Sequence, residues 1–287
     1  IFSFFDKNSK IINLFVNIDI AIRRTGILNQ LFTGKFNFQN FTFYYASNDL
    51  SVVSSVIANH TYEPETLNAI KKILKNGSVF IDGGANIGFF SVIASSIVGK
   101  KGKVISFEPT NHTRTYLKRN IMNNQIVNIS IEKYALSSES KKVYFYQSDN
   151  PESNSVVSSK KLIQNENKIV LVDSISIDSY CRKKSLERVD LIKLDIEGQE
   201  YDAILGSINT INQNSDLKII FELNIAKRED NIEYTNKIFK ELIKLKYKKF
   251  ELLLTPSIFI HDFEFENKLS MLINITNRHN VNILATR

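Results

Sequence analysis

The sequence predicts an α/β fold: one mostly parallel, seven-stranded sheet with helices on both faces, an N-terminal extension and a strand-loop-strand insertion. Three observations predict it. From about residue 78 onward, short apolar runs alternate with segments of helical period, the order expected of parallel strands joined by crossover helices. The chain has 287 residues and is 43% hydrophobic, enough for one sizeable core with extensions. Glycine is scarce, with 10 residues in all, yet three fall at positions 83, 84 and 88, just after the first strand of the series.

Residues 1–60 read as the extension and residues 61–287 as the main domain. Residues 11–31 have helical spacing in parts. Phe36, Phe38, Phe41, Phe43 and Tyr45 form a near-alternating aromatic series, which argues for a strand or hairpin with one apolar face. That face either packs on the core or lines a substrate cleft or a dimer contact. Residues 63–76 read as a helix, with Pro64 in its first turn and Leu67, Ile70, Ile73 and Leu74 on one side. Strands follow at 78–81, 103–107, 127–131, 190–194 and 217–223, with helices at 88–98, 113–123, 201–209 and 236–245. Residues 250–254 and 280–284 read as a final antiparallel pair. The insertion, 136–188, holds strand-like runs at 142–147 and 168–172. The Ser- and Asn-rich stretch between them, 148–167, reads as a mobile loop that could act as a lid.

Composition excludes several classes. The single cysteine, Cys181, rules out an intrachain disulfide framework and a cysteine-based zinc site, and reads as a small buried hydrophobe. The net charge of +7 comes from scattered lysines, the densest run being 244–249 on what reads as a solvated helix face. Nucleic-acid binding is not expected, while anionic substrates or proximity to a membrane surface would suit that charge. No run of 18 apolar residues exists, so no transmembrane helix is expected. Residues 11–22 carry Asn13, Asn17 and Asp19 and lack a charged start and a small-residue cleavage site. They do not read as a signal peptide, and with the lone cysteine this suggests a cytoplasmic location. Oligomeric state does not follow from the sequence.

Three motifs carry chemistry. The run Val79-Phe80-Ile81-Asp82-Gly83-Gly84-Ala85-Asn86-Ile87-Gly88 leads an apolar strand through a Gly-rich turn into a helix. Glycine permits the sharp turn and close approach of a ligand, and a helix start offers unpaired N–H groups. A dinucleotide pattern would need Gly at 83, 85 and 88, but position 85 is Ala, where the middle glycine must admit a pyrophosphate. S-adenosylmethionine (SAM) has no phosphate, and Asp82 is placed to meet the ammonium of its methionine tail. In the second motif, Val104-Ile105-Ser106-Phe107-Glu108-Pro109, Glu108 ends the next strand, where an acid accepts hydrogen bonds from ribose hydroxyls. The third, residues 189–200, ends an apolar strand in Asp195 and Glu197, followed by Gly198 and Glu200. Carboxylates so crowded repel one another when buried. A sulfonium, a metal ion or Lys193 would relieve them.

Asp82 to Gly88, Phe107-Glu108-Pro109, Tyr134-Ala135-Leu136-Ser137, Phe221-Glu222-Leu223 and above all Ile192-Lys193-Leu194-Asp195-Ile196-Glu197-Gly198-Gln199-Glu200 resemble the FkbM-type methyltransferases. The resemblance spans residues 60–225. It implies a class I methyltransferase fold (Rossmann-like), SAM as methyl donor, and a hydroxyl acceptor on a sugar, glycan or natural product. It places Asp82, Gly84 and Asn86 around the methionine portion, within a cofactor set that includes Gly83, Ala85, Gly88 and Pro109. Glu108 takes the ribose, and Ala135 borders the adenine through its backbone. Asp195 and Glu197 face the reaction centre, Asp195 also bordering the cofactor. Tyr62 and Glu63 precede the core and close over SAM.

Methyl transfer is an in-line displacement at the sulfonium carbon, so alignment and exclusion of water dominate. An alcohol acceptor also loses a proton, for which a base or metal is useful. Asp195 and Glu197 are the first candidates, with Glu222 in support. A divalent ion is compatible with these acids, though no ligand spacing demands one. His112 follows Glu108-Pro109 and reads as incidental. Two rivals stand beside this reading: an NAD-dependent sugar oxidoreductase or epimerase, opposed by Ala85 and the lack of a Tyr-x-x-x-Lys pair, and a non-catalytic SAM-binding protein, opposed by intact Asp82, Glu108 and Asp195.

Overall fold

The computed structural model describes residues 34–46, 52–53, 55–56, 60–146, 155–156, 169–223, 231–265, 268, 271 and 281–287. The expectations for residues 11–31 lie outside these, as does nearly all of 148–167. A hairpin, β1 (Gly34–Phe38) and β2 (Phe41–Tyr45), comes first, then α1 (Pro64–Ile73), β3 (Val79–Gly83), α2 (Phe89–Val98), β4 (Lys103–Phe107), α3 (Asn111–Asn123) and β5 (Ile129–Glu132). The insertion holds β6 (Ala135–Leu136), β7 (Lys142–Tyr146), β8 (Ser155–Val156), β9 (Ile169–Ile175) and α4 (Ile177–Lys183). The chain continues through β10 (Leu191–Leu194), α5 (Glu200–Leu205), α6 (Ile208–Gln213), β11 (Lys218–Leu223), α7 (Asn231–Lys244), β12 (Lys249–Leu252), β13 (Ile258–His261) and β14 (Val281–Thr286).

The main sheet runs β13-β12-β14-β11-β10-β3-β4-β5. Strands β5, β4, β3, β10 and β11 are parallel, and β14, β12 and β13 add an antiparallel edge. The count is eight where the sequence suggests seven. The extra strand is β13, four residues with an alternating burial pattern at the outer edge, too short and too exposed to announce itself as an apolar run. The helix expected at 201–209 is two short helices, α5 and α6, broken at Gly206-Ser207. At Gly206 an added Cβ would stand 2.2 Å from the Ser137 carbonyl, so close packing against the insertion requires glycine. The lysine run at 244–249 is not one helix face, because α7 stops at Lys244 and the chain turns through Lys246 (φ +71°) into β12.

Each face of the sheet has its own core. One packs Ile81, Ile105, Phe107, Ile192 and Phe221 against Tyr180, Cys181, Ile204 and Phe239. Cys181 is there as the small buried hydrophobe expected. The other packs Phe80, Val104, Leu191 and Ile220 against Leu67 and Ile70 of α1, Val92 of α2, Leu117 of α3 and Phe43 of the hairpin. The aromatic hairpin forms as expected, with Phe36 opposite Phe43. Phe38 and Phe43 lie 5.0 and 5.4 Å from the Phe89 ring, so its apolar face packs on the core. Two asparagines of α3 secure it: Asn120 accepts from Tyr44 N–H (2.6 Å) and donates to Tyr44 O (3.0 Å), while Asn124 does the same with Thr42 at 3.0 and 2.8 Å. One helical turn apart, they satisfy the outer strand as a neighbouring strand would.

Candidate functional site

The ladders decide which side chains share a row. Ser106, Asp82, Lys193, Ile220 and Leu284 are successive partners across β4, β3, β10, β11 and β14. Side chains two apart share a face, so the next row on that face is Glu108, Gly84, Asp195, Glu222 and Asn282. The last two are direct partners. Backbone bonds from Gly84 N–H to Phe107 O (3.0 Å) and Asp195 N–H to Gly83 O (3.1 Å) carry the parallel strands to that row. The row before it is polar in β4, β3 and β10, with Ser106, Asp82 and Lys193, and apolar in β11 and β14, and the last row, at the C-terminal ends of the parallel strands, is almost wholly polar. Gly84 interrupts it between Glu108 and Asp195 with no side chain. Its φ is +75°, and an added Cβ would stand 1.8 Å from the Asp195 carbonyl, so both the left-handed backbone and the space require glycine.

At the β3–β4 end, Glu108 is buried and accepts from Asn86 N–H (3.2 Å) and Thr110 N–H (2.9 Å). Burial pushes its carboxyl above the usual value, with Thr110, Asn86 and Arg114 opposing. Arg114 ties the turn by donating to the carbonyls of Glu108 (2.8 Å) and Pro109 (2.6 Å). A carboxylate has room for about four donors, so Glu108 keeps acceptor capacity. The turn before α2 satisfies its own backbone donors. Gly84 and Ala85 both donate to Phe107 O, Asn86 to Glu108, and Gly88 to Ala85 O, because the turn folds back on β4 and uses its donors there. What it leaves without partners, among the described residues, are two buried acceptors, Asp82 Oδ1 and Asn86 Oδ1. The other Asp82 oxygen accepts from Ser91 Oγ at 2.5 Å, and Ser106 Oγ lies 2.7 Å from that hydroxyl. Burial raises the Asp82 carboxyl, opposed mainly by Lys193. Unpaired acceptors fit a cationic ligand group.

At the other end stand Asp195, Glu197 and Glu222, each with a carboxylate oxygen within 4.8 Å of the others'. The fully buried Lys193 donates to Asp195 Oδ2 at 2.8 Å, with its ammonium 4.8 Å from the Phe90 ring centroid. Burial alone would lower its pKa, but Asp195, Glu63 and Asp82 outweigh that and raise it. Glu63, the left-handed residue (φ 40°) before α1, accepts from Asn282 Nδ2 at 2.8 Å. Burial raises Glu63 as well, against the pull of Lys193. Glu222 is only 8% exposed, its Oε2 has no partner among the described residues, and burial plus repulsion from Asp195 and Glu197 push it up to about 10.

Glu200 belongs to the same sequence motif but does a different job. Its Oε1 accepts from Ile196 N–H (3.1 Å) and Gly198 N–H (3.2 Å), and its Oε2 from Tyr234 OH (2.7 Å). It therefore fixes the loop in which Glu197 is left-handed (φ 53°). Tyr62 packs on Phe89 and Phe90 at 5.5 and 5.7 Å. Ala135 is buried in β6, and His112 is exposed on α3 against Tyr116. Sequence reasoning missed Asn282, Ser91, Ser106 and Tyr234. The lone Asn in Val-Asn-Ile-Leu of β14 was a signal: a polar residue in an apolar strand must have somewhere to point.

The family model described as the Methyltransferase FkbM domain matches residues 82–250, more than half of the chain. The chain belongs to the FkbM methyltransferase family. The match begins at Asp82 and takes in Glu108, the Asp195–Glu197 loop and Glu222. No curated protein matches this FkbM methyltransferase. Among solved structures it is similar to an FkbM methyltransferase from Methylobacillus flagellatus KT, at 13% identity over 83% of this chain and 60% of that one, with a TM-score of 0.44. It is also similar to a SAM-dependent methyltransferase from Aquifex aeolicus, at 11% identity, 82% and 94% coverage and a TM-score of 0.42. A third is the tRNA (uracil-54, C5)-methyltransferase of Pyrococcus abyssi with S-adenosyl-L-homocysteine, at 9% identity, 88% and 43% coverage and a TM-score of 0.45. Among the described residues no helix is long and apolar enough to cross a membrane.

Proposed function

We propose that this chain transfers the methyl group of SAM to a hydroxyl of a sugar, glycan or related natural product. The observation that carries the reading is the polar row itself: Glu108 on one side of Gly84, and Asp195, Glu222 and Asn282 on the other. A ligand lying along the row meets an acid suited to a ribose at one end and acids suited to an acceptor hydroxyl at the other. The unpaired oxygens of Asp82 and Asn86 suit the ammonium of a methionine tail. Pro109 and Ala135 are the residues we assign to the base beyond the ribose.

SAM, when bound, supplies an already activated methyl group. The chain's own part is to align the acceptor oxygen with it, keep water out and take the hydroxyl proton. Asp195 has the position for the last task. Its tether to Lys193 fixes one oxygen and leaves the other to face the acceptor. Glu197 and Glu222 orient neighbouring hydroxyls. The test is to incubate the chain with methyl-labelled SAM and a panel of glycosides and polyols, and to look for labelled O-methyl product by mass spectrometry. Labelled product supports the reading. Tight binding of NAD with none of SAM would refute it.

A further inference from the structure

We infer that Asp195, Glu197, Glu222 and Asn282 form a binding site for a hard divalent cation. The inference deepens the methyl-transfer reading, and rests on it for the cation's purpose: to lower the pKa of an acceptor hydroxyl and hold it in line. The site itself rests on three independent observations. First, the geometry fits. The three carboxylate oxygens lie within 4.8 Å of one another, and oxygens on opposite sides of a bound ion stand about 4.2 Å apart for magnesium and about 5 Å for calcium. Side-chain rotation alone closes such a shell. Second, two groups more than nine-tenths buried lack partners among the described residues. Glu222 Oε2 belongs to the cluster, and Asn282 Oδ1 stands directly opposite it in the β11–β14 ladder. Both are neutral-oxygen or carboxylate donors of the kind magnesium, manganese and calcium prefer. Buried polar atoms are satisfied in nearly all native proteins, so two orphans side by side imply a group that both would bind. Third, the local charge does not balance. Among the described residues Asp195, Glu63 and Asp82 act on the buried Lys193, which is tied to Asp195, while Glu222 is faced by Asp195, Glu197, Glu200 and Glu63.

The loop is also built to hold a fixed shape. Glu200 locks the backbone of Ile196 and Gly198, so Glu197 is presented without having to be ordered by the ion. Asp195 uses Oδ2 for Lys193 and has Oδ1 for the metal, so with the ion bound Asp195 holds the cation and the proton of the acidified hydroxyl passes to water. Nothing sulfur- or imidazole-bearing stands in the cluster, which argues against zinc or copper.

The experiment uses the full chain, stripped of metal with a chelator and desalted. Manganese binding is measured by the loss of its free electron paramagnetic resonance signal, with magnesium and calcium as competitors, in the absence of SAM. One saturable ion per chain is expected, displaced by magnesium. Glu222→Gln and Asp195→Asn should each weaken it at least tenfold, and Asn282→Leu several-fold. Glu108→Ala, at the other end of the row, should leave it unchanged. Retained SAM affinity in Glu222→Gln and Asp195→Asn certifies their fold. Absence of saturable manganese binding, or equal affinity in parent and Glu222→Gln, overturns the cation site. Manganese binding without SAM binding would keep the site and sink the methyl-transfer reading, so the two failures are separable.

Discussion

Glu108 and Glu222 stand in the same row of the same sheet and are almost equally buried, at 7% and 8% exposure. Their surroundings differ. Glu108 receives two backbone N–H groups, whereas one oxygen of Glu222 receives nothing and its neighbours are other acids. Burying a charge is costly unless it is paired, so the first arrangement is complete in itself and the second is complete only with something bound. On the proposed reading the β3–β4 end takes the ribose and the β10–β11–β14 end takes the cation. Gly84 separates them and belongs to both, since its turn rests on the Asp195 carbonyl.

The largest effect should come from breaking both ends together. Gly84→Ala puts a methyl group into the Asp195 backbone and forces an alanine to φ +75°. Such strain costs on the order of 1–3 kcal/mol for the conformation and more for the overlap. SAM binding by calorimetry and manganese binding should both collapse. A variant that kept either would show that the two halves are not linked through this turn. The next variants separate the ends. Glu108→Ala removes charge-assisted hydrogen bonds to the ribose and should weaken SAM by about 2–4 kcal/mol. Equal SAM affinity in that variant would refute the ribose assignment. Asp195→Asn keeps the shape and removes the charge. Its turnover with the true acceptor should fall by about 100-fold while SAM affinity stays within about threefold. Full turnover would remove Asp195 from the chemistry.

The row was legible in the sequence in its two halves and not as a row. Strand patterning places Asp82, Glu108 and Asp195 at strand ends, because apolar runs followed by acids and glycine announce both the strand and its exit. Which acids share a face depends on register between strands whose partners, from Asp82–Ser106 to Asp82–Lys193, lie 24 to 111 residues apart, and a periodicity within one strand carries no information about that. Glu63 and Asn282 come from the ends of the domain and join the site only through tertiary packing. Glu200 shows the converse. Its place in the Asp-Ile-Glu-Gly-Gln-Glu run suggests one of three repelling carboxylates, but α5 begins there and turns it inward to the loop's own N–H groups. The number of strands at the antiparallel edge failed for the simpler reason that β13 is short and half exposed.

The smallest effect tests that inward-turned acid. Burial pushes the Glu200 carboxyl above its ordinary value of 4.5, against the donors Tyr234, Gly198 and Ile196. A group whose pKa is raised on folding stabilises the fold fully below its unfolded value, and that contribution is lost as pH rises through the folded value. Stability should therefore decline from about pH 4.5 upward on account of Glu200. Glutamine keeps an oxygen for the two backbone N–H groups, can donate to the Tyr234 hydroxyl, and has no proton to lose. In Glu200→Gln the thermal midpoint, measured from pH 4 to pH 7, should gain steadily on the parent as pH rises. The difference should be only about 1 kcal/mol, because the ionised form is partly repaid by three donors. A midpoint difference that shrinks with rising pH would mean that those donors, and not burial, govern this carboxylate. Glu200 would then be ionised at neutral pH and would add its charge to the end of the row that already has too much.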